Sequence, residues 1–196
     1  MKTTSLDPVE LENFWIRCYL NTSSNLIEGV IDRAYLDFCR TLHGIGKEQN
    51  PNKKDRLKEI IRNIVSEILT QSFGSQDVFD EWHKRKCLDL VSGFDVISKH
   101  PLFIGQAQKW INMTLKYLFA LGEKRIKGIS NNYRFFHIPL DQTILDKLKD
   151  QITIKFKKRW SRIETYKEYL QYQNSVREKF HPQIPMDVEF RLFNVK

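Results

Sequence analysis

The chain has 196 residues, 41% of them hydrophobic and 29% charged, with a net charge of +8. This is enough apolar material for a core, and no apolar run nears the roughly 20 residues that span a bilayer. Cys18, Cys39 and Cys87 are odd in number and widely spaced, which excludes a fully paired disulfide framework within the chain and matches no zinc or iron–sulfur spacing. The stretch Met1–Pro8 lacks the apolar run of a signal peptide, so a reducing cytoplasm is the expected compartment.

Apolar residues recur at three-and-four spacing over 26–43, through Leu26, Ile27, Val30, Ile31, Ala34, Tyr35, Phe38 and Leu42, which predicts a helix. Gly, Asn and Pro over 44–53 break it. The cleanest amphipathic pattern follows over 54–72, and Gly74-Ser75 stops it, with Ser75 as cap for a helix over 76–92. Residues 103–121 are apolar on most sides, which predicts a buried helix. A short helix fits 141–149. A longer one fits 161–180, with Ser161 and Glu164 as a capping box. Val188, Phe190 and Leu192 alternate with polar residues, so 188–192 reads as a short extended tail docked on the body. The expected fold is all-α, a compact bundle of about six to eight helices. One domain is expected over 1–196, with 22–100, 101–150 and 151–196 as its lobes if it divides.

The charge is unevenly placed. Residues 123–162 hold eleven Lys/Arg against four Asp/Glu, and the remainder is almost balanced. With Tyr133, Phe135, Phe136, Phe156 and Trp160 interleaved, this block suits phosphate contacts beside stacking platforms. A solvated lysine-rich surface is the plainer alternative. No long basic amphipathic helix stands clear of the core pattern to suit a membrane surface.

Two short motifs carry candidate chemistry. In Ile104-Gly-Gln-Ala-Gln-Lys109 a glycine turn opens the apolar helix and sets Lys109 in its first turns, while Pro139-Leu-Asp141 leads into the next helix. A lysine and an aspartate at two helix starts suit an amine–carboxylate pair of the Schiff-base kind. Asp141 also reads as an ordinary N-cap, and the two roles are compatible. Gln108, Lys109, Asn112 and Lys116 fall on one stripe of an otherwise apolar helix, which suggests that the stripe lines a cleft. His137, beside Phe135 and Phe136, reads as a packed residue.

At these residues the chain resembles the helix-hairpin-helix DNA glycosylases, the superfamily of endonuclease III and 8-oxoguanine glycosylase, over about 100–148. Lys109 falls at the position of the lysine nucleophile and Asp141 at that of the essential aspartate. Ala107 stands where the family has its second hairpin glycine, the stretch from Lys109 to Asp141 is longer than in the family, and the iron–sulfur cysteines of one branch are absent. The resemblance implies base excision on double-stranded DNA with a flipped base, through a lysine Schiff base and without metal or organic cofactor. It implies DNA contacts from Gly105, Gln108, Asn112, Lys124, Arg125, Lys127 and Arg134, and stacking from Trp110, Tyr133 or Phe136. Two other readings of the residues remain open: a nucleic-acid-binding module without catalysis, with Lys109 in a salt bridge or exposed, and a helical interaction protein of a toxin–antitoxin or phage-defence system. The last would show a large exposed apolar patch to a protein partner.

Overall fold

A computed structural model describes residues 6–22, 25–42, 51–96, 98 and 100–194, without the side chains of 51–53. All regular structure among them is helical: α1 (Pro8–Leu20), α2 (Leu26–Phe38), α3 (Pro51–Thr70), α4 (Gln76–Asp95), α5 (Ile104–Leu121), α6 (Gln142–Leu148), α7 (Tyr166–Phe180) and α8 (Pro185–Asn194). Short 3₁₀ turns cover Cys39–Thr41, Ile129–Phe135 and Trp160–Arg162. The all-α expectation holds, while His43 and residues 44–50 of the expected break at 44–53 lie outside the described residues, and α3 begins within that break at Pro51.

α5 is the hub. It packs against α2, α3, α4 and α7 and against the turns at 129–135 and 160–162. That placement follows from its apolarity, since Ile104, Ala107, Trp110, Ile111, Leu115 and Leu118 leave little face to give to water. Trp110 stacks on Phe38 of α2, with ring centroids 4.9 Å apart. α3 and α4 are tied through Glu67, which accepts from the Trp82 indole at 2.8 Å and from Lys86 at 2.6 Å. The buried side chains form one continuous cluster from Leu20 to Met186.

Three elements differ from the sequence reading. α1 was not expected, although Asp7-Pro8-Val-Glu10 is a helix start: Asp7 accepts from the Val9 amide, Glu10 reaches back to the Asp7 amide, and Pro8 needs no donor. Of its residues only Leu20 is buried, and Val9, Leu11, Phe14, Trp15 and Tyr19 stay exposed. The start of α7 moves from Ser161 to Thr165, whose hydroxyl accepts from the Glu168 amide at 3.2 Å. Residues 160–162 are instead the 3₁₀ turn that seals α5. The tail is helical rather than extended. Pro185 and Met186 with Val188 and Glu189 form the inner face of α8, a helical spacing that a five-residue alternation could not outweigh.

Gly128 shows how tightly the 3₁₀ segment is held. Its φ is +89°, its amide donates to Glu123 at 2.6 Å, and a Cβ there would stand 2.2 Å from the Leu69 carbonyl oxygen. Gly128→Ala should therefore lower stability by about 1–3 kcal/mol through strain and displacement, read as a lower midpoint of urea unfolding at unchanged slope.

Candidate functional site

Lys109 and Asp141 meet. The Lys109 Nζ lies 2.6 Å from Asp141 Oδ2, across 32 residues of chain. The other carboxylate oxygen accepts from the Ile144 amide at 2.9 Å and so caps α6. Lys109 is 4% exposed, whereas a quarter of the Asp141 side chain reaches solvent. The cap fixes the carboxylate and leaves one oxygen for the amine.

The segment before Asp141 explains this placement. Ile138, Pro139 and Leu140 are extended and buried, with no strand beside them. Two glutamines replace the strand. Gln108 of α5 donates to the Leu140 carbonyl at 2.8 Å and accepts from its amide at 3.1 Å. Gln173 of α7 does the same for Ile138, at 2.9 and 3.2 Å. Pro139 between them has no N–H to satisfy. Gln108 is thus one helical residue before Lys109 and clamps the residue before Asp141.

Behind the clamp runs a buried polar network that the sequence reading missed. Asn112 donates to Gln108 Oε1 at 3.0 Å and to the Tyr169 hydroxyl at 2.8 Å, and accepts from His83 Nε2 at 2.9 Å. His83 Nδ1 faces the Tyr166 hydroxyl at 2.9 Å. His137 bridges the Tyr169 hydroxyl at 2.8 Å and Asp80 Oδ1 at 2.8 Å. Arg177 donates to both oxygens of Asp80, at 2.7 and 2.8 Å. The Tyr166 hydroxyl also donates to the Asp80 carbonyl at 2.9 Å, and Arg177 Nη2 stands 2.7 Å from His137 Nε2. Burial pushes both imidazoles down from their ordinary value, His137 to about 4 and His83 well below it. For His137 the Asp80 hydrogen bond opposes that shift and the Arg177 charge adds to it. Burial would raise the Asp80 carboxyl, but its bonds to His137 and Arg177 hold it well below the usual range. A glutamine, Gln173, set among Tyr166, Tyr169, Tyr172 and Val176 at helical spacing was the available signal.

Most of the residues expected to touch DNA are placed otherwise. Gln108 and Asn112 are fully buried in the network, because a polar group on a helix enclosed on all sides must find its partner inside the protein. Gly105 is also buried. Its amide donates to the Ile163 carbonyl, and a Cβ there would stand 1.9 Å from the Trp160 carbonyl oxygen, so it serves close packing and offers no phosphate nest. Trp110, Tyr133 and Phe136 are core residues rather than stacking platforms. The Trp110 indole donates to the Ile31 carbonyl, Tyr133 lies flat on Phe119 and donates to Asp187, and Phe136 packs on Phe79. Arg125 is held by Glu12 at 2.9 Å and Asn13 at 3.1 Å of α1. Lys124, Lys127 and Arg134 are exposed, the last with its guanidinium over Phe135.

A hollow of about 270 Å³ lies next along the chain, lined by neither Lys109 nor Asp141. Gln142, next after Asp141, lines it. So does Trp160, whose carbonyl covers Gly105 one helical turn before Lys109. Among the described residues no group of three or more His, Cys, Asp or Glu side chains is arranged to hold a metal ion. No protein-family model matches the chain, and no curated protein or solved structure matches it either.

The neutral imidazoles make stability depend on pH. In the unfolded chain His137 takes its proton near 6.5, and in the folded chain only near 4. The folded state therefore has its full advantage above about pH 6.5 and loses it as the pH falls through about 4, on the order of 3 kcal/mol for this one group. Thermal unfolding midpoints should fall steadily over that window, and His137→Gln should flatten the slope while lowering the midpoint at neutral pH. A midpoint that stays constant from about pH 7.5 to 4.5 would contradict the neutral imidazole.

Proposed function

We propose that the chain excises a damaged or modified base from DNA, with Lys109 as nucleophile and Asp141 as its carboxylate partner. The observation that carries the reading is the 2.6 Å contact between the Lys109 amine and Asp141, two residues 32 positions apart in sequence. Lys109 must lose a proton before it can attack a sugar carbon, and Asp141 Oδ2 stands where it can accept that proton. The amine then forms a bond to the anomeric carbon as the glycosidic bond to the base breaks. The sugar ring opens to a Schiff base on Lys109, from which elimination cuts the strand. The departing base takes the proton from Asp141, and the restored carboxylate stabilises the positive charge on the sugar, as carboxylates do in glycoside hydrolysis. The clamp by Gln108 and Gln173 supports this role by fixing Asp141 against α5 without using either group of the pair.

The burial of Lys109 favours a second reading, a DNA-binding module in which the pair only joins α5 to α6. Borohydride separates the two, because it reduces a Schiff base to a stable protein–DNA adduct. Adduct should form on DNA carrying a modified purine or an abasic site. Lys109→Gln should abolish it, since the partner carboxylate, partly in solvent, can hydrate and the fold should persist by circular dichroism. Asp141→Asn keeps an oxygen for the Ile144 cap, so base release should slow by roughly 10²–10³-fold with DNA affinity unchanged. Equal adduct from wild type and a folded Lys109→Gln protein would leave the binding module as the reading.

A further inference from the structure

The hollow lined by Gln142 is built from residues that the lysine–aspartate chemistry does not use. Its floor is aromatic: Phe156, Trp160 and Tyr172 line it, with Ile152 and Ile154. Phe156 lies on Tyr172, centroids 5.2 Å apart and planes at 24°, and Tyr172 is 2% exposed while Phe156 is only partly covered. One face of the Phe156 ring is therefore spent on the core and the rest of it borders the hollow. The rim is cationic. Lys149, Lys155, Lys158 and Arg159 line it, all exposed, and among the described residues only Lys158 has a carboxylate partner, Glu164 at 2.6 Å. The one acidic lining residue, Asp146, accepts from the Gln142 side chain at 2.8 Å.

Cations above exposed ring surface match a ligand that joins a flat apolar face to a phosphate, which is a nucleotide. The volume, about 270 Å³, falls just under the roughly 300–1,000 Å³ of small-molecule pockets. It suits one base with its sugar, so further nucleotides would run along the lysine rim. Duplex DNA fits this shape poorly. Its base faces are stacked inside the helix and only their edges reach a groove, and the basic residues here lie on the irregular stretch between α6 and α7 rather than on a helix that could enter one. An unpaired strand offers both a free base face and a backbone that bends to the rim.

We infer that the groove between α6 and the Trp160–Arg162 turn binds single-stranded DNA, with a base against Phe156 and Trp160 and phosphates on Lys155, Lys158 and Arg159. This affinity needs neither a lesion nor Lys109, and so it stands or falls apart from the base-excision reading.

Tryptophan emission tests it. Of the four tryptophans, Trp82 and Trp110 are buried and Trp15 is 69% exposed. In a Trp15→Phe protein, Trp160 is the one left in partial contact with solvent. Addition of an eight-nucleotide oligothymidylate should quench that emission. With three phosphates neutralised, affinity should drop roughly 20-fold between 50 and 200 mM salt. A Lys155→Glu, Arg159→Glu double variant, altered only at exposed positions, should lose the quench. Lys109→Gln should keep it. Equal quenching by inorganic phosphate, binding that ignores salt, an unaffected double variant, or tighter binding to a duplex of the same length would each overturn the inference. So would a lesion-free strand that leaves Trp160 emission unchanged while lesion-bearing duplex is still trapped.

Discussion

The position of the candidate site depends on two glutamines. Ile138 and Leu140 are buried in extended backbone, and each has an amide and a carbonyl that would cost about 1–3 kcal/mol if left unmade. Gln108 and Gln173 each satisfy one residue completely, from opposite helices, and the proline between them removes the remaining donor. The extended stretch is thereby held in a single register between α5 and α7. Asp141 leaves it at a fixed height along α5, and that height is one at which Lys109 can reach it.

The helices were largely legible in the sequence because their apolar residues repeat at helical spacing over more than two turns. The pair was legible for a different reason: a lysine near one helix start and an aspartate at another are strong local signals whatever lies between them. The rest of the site was not. Gln108, Asn112 and Lys109 share a stripe, and a stripe on an amphipathic helix usually meets water or a cleft. α5 is enclosed by four helices, so the stripe meets other polar side chains instead, and only Lys109 extends toward the edge. The partners come from α4 and α7, up to 97 residues away along the chain in the case of Asp80 and Arg177. Periodicity cannot report such pairings. α1 was missed because its apolar residues are mostly exposed and give no inward stripe, although its cap was written plainly at Asp7 and Glu10.

The basic block resolves into two kinds of residue. Some of its cations serve the fold: Arg125 secures α1, and Lys147 donates to the Leu192 carbonyl of α8 at 2.6 Å. Others, from Lys149 to Arg159, surround the hollow and face solvent. A sum over 123–162 mixes the two. The separation matters for electrostatics, since cations already neutralised inside the protein contribute little to a field felt by a polyanion.

Lys116 adds a constraint in time rather than space. It is buried near the far end of α5, bound at 2.7 Å to Glu189, which is itself buried and lies 73 residues later. An ammonium enclosed without its partner is strongly unfavourable. On a ribosome that adds about 5–20 residues per second, roughly 4–15 s pass between the two. During that interval Lys116 has no Glu189 to meet, and Gln173 and Tyr169 have yet to be made. The ion pair at the far end of α5 is therefore available only once α8 has been made.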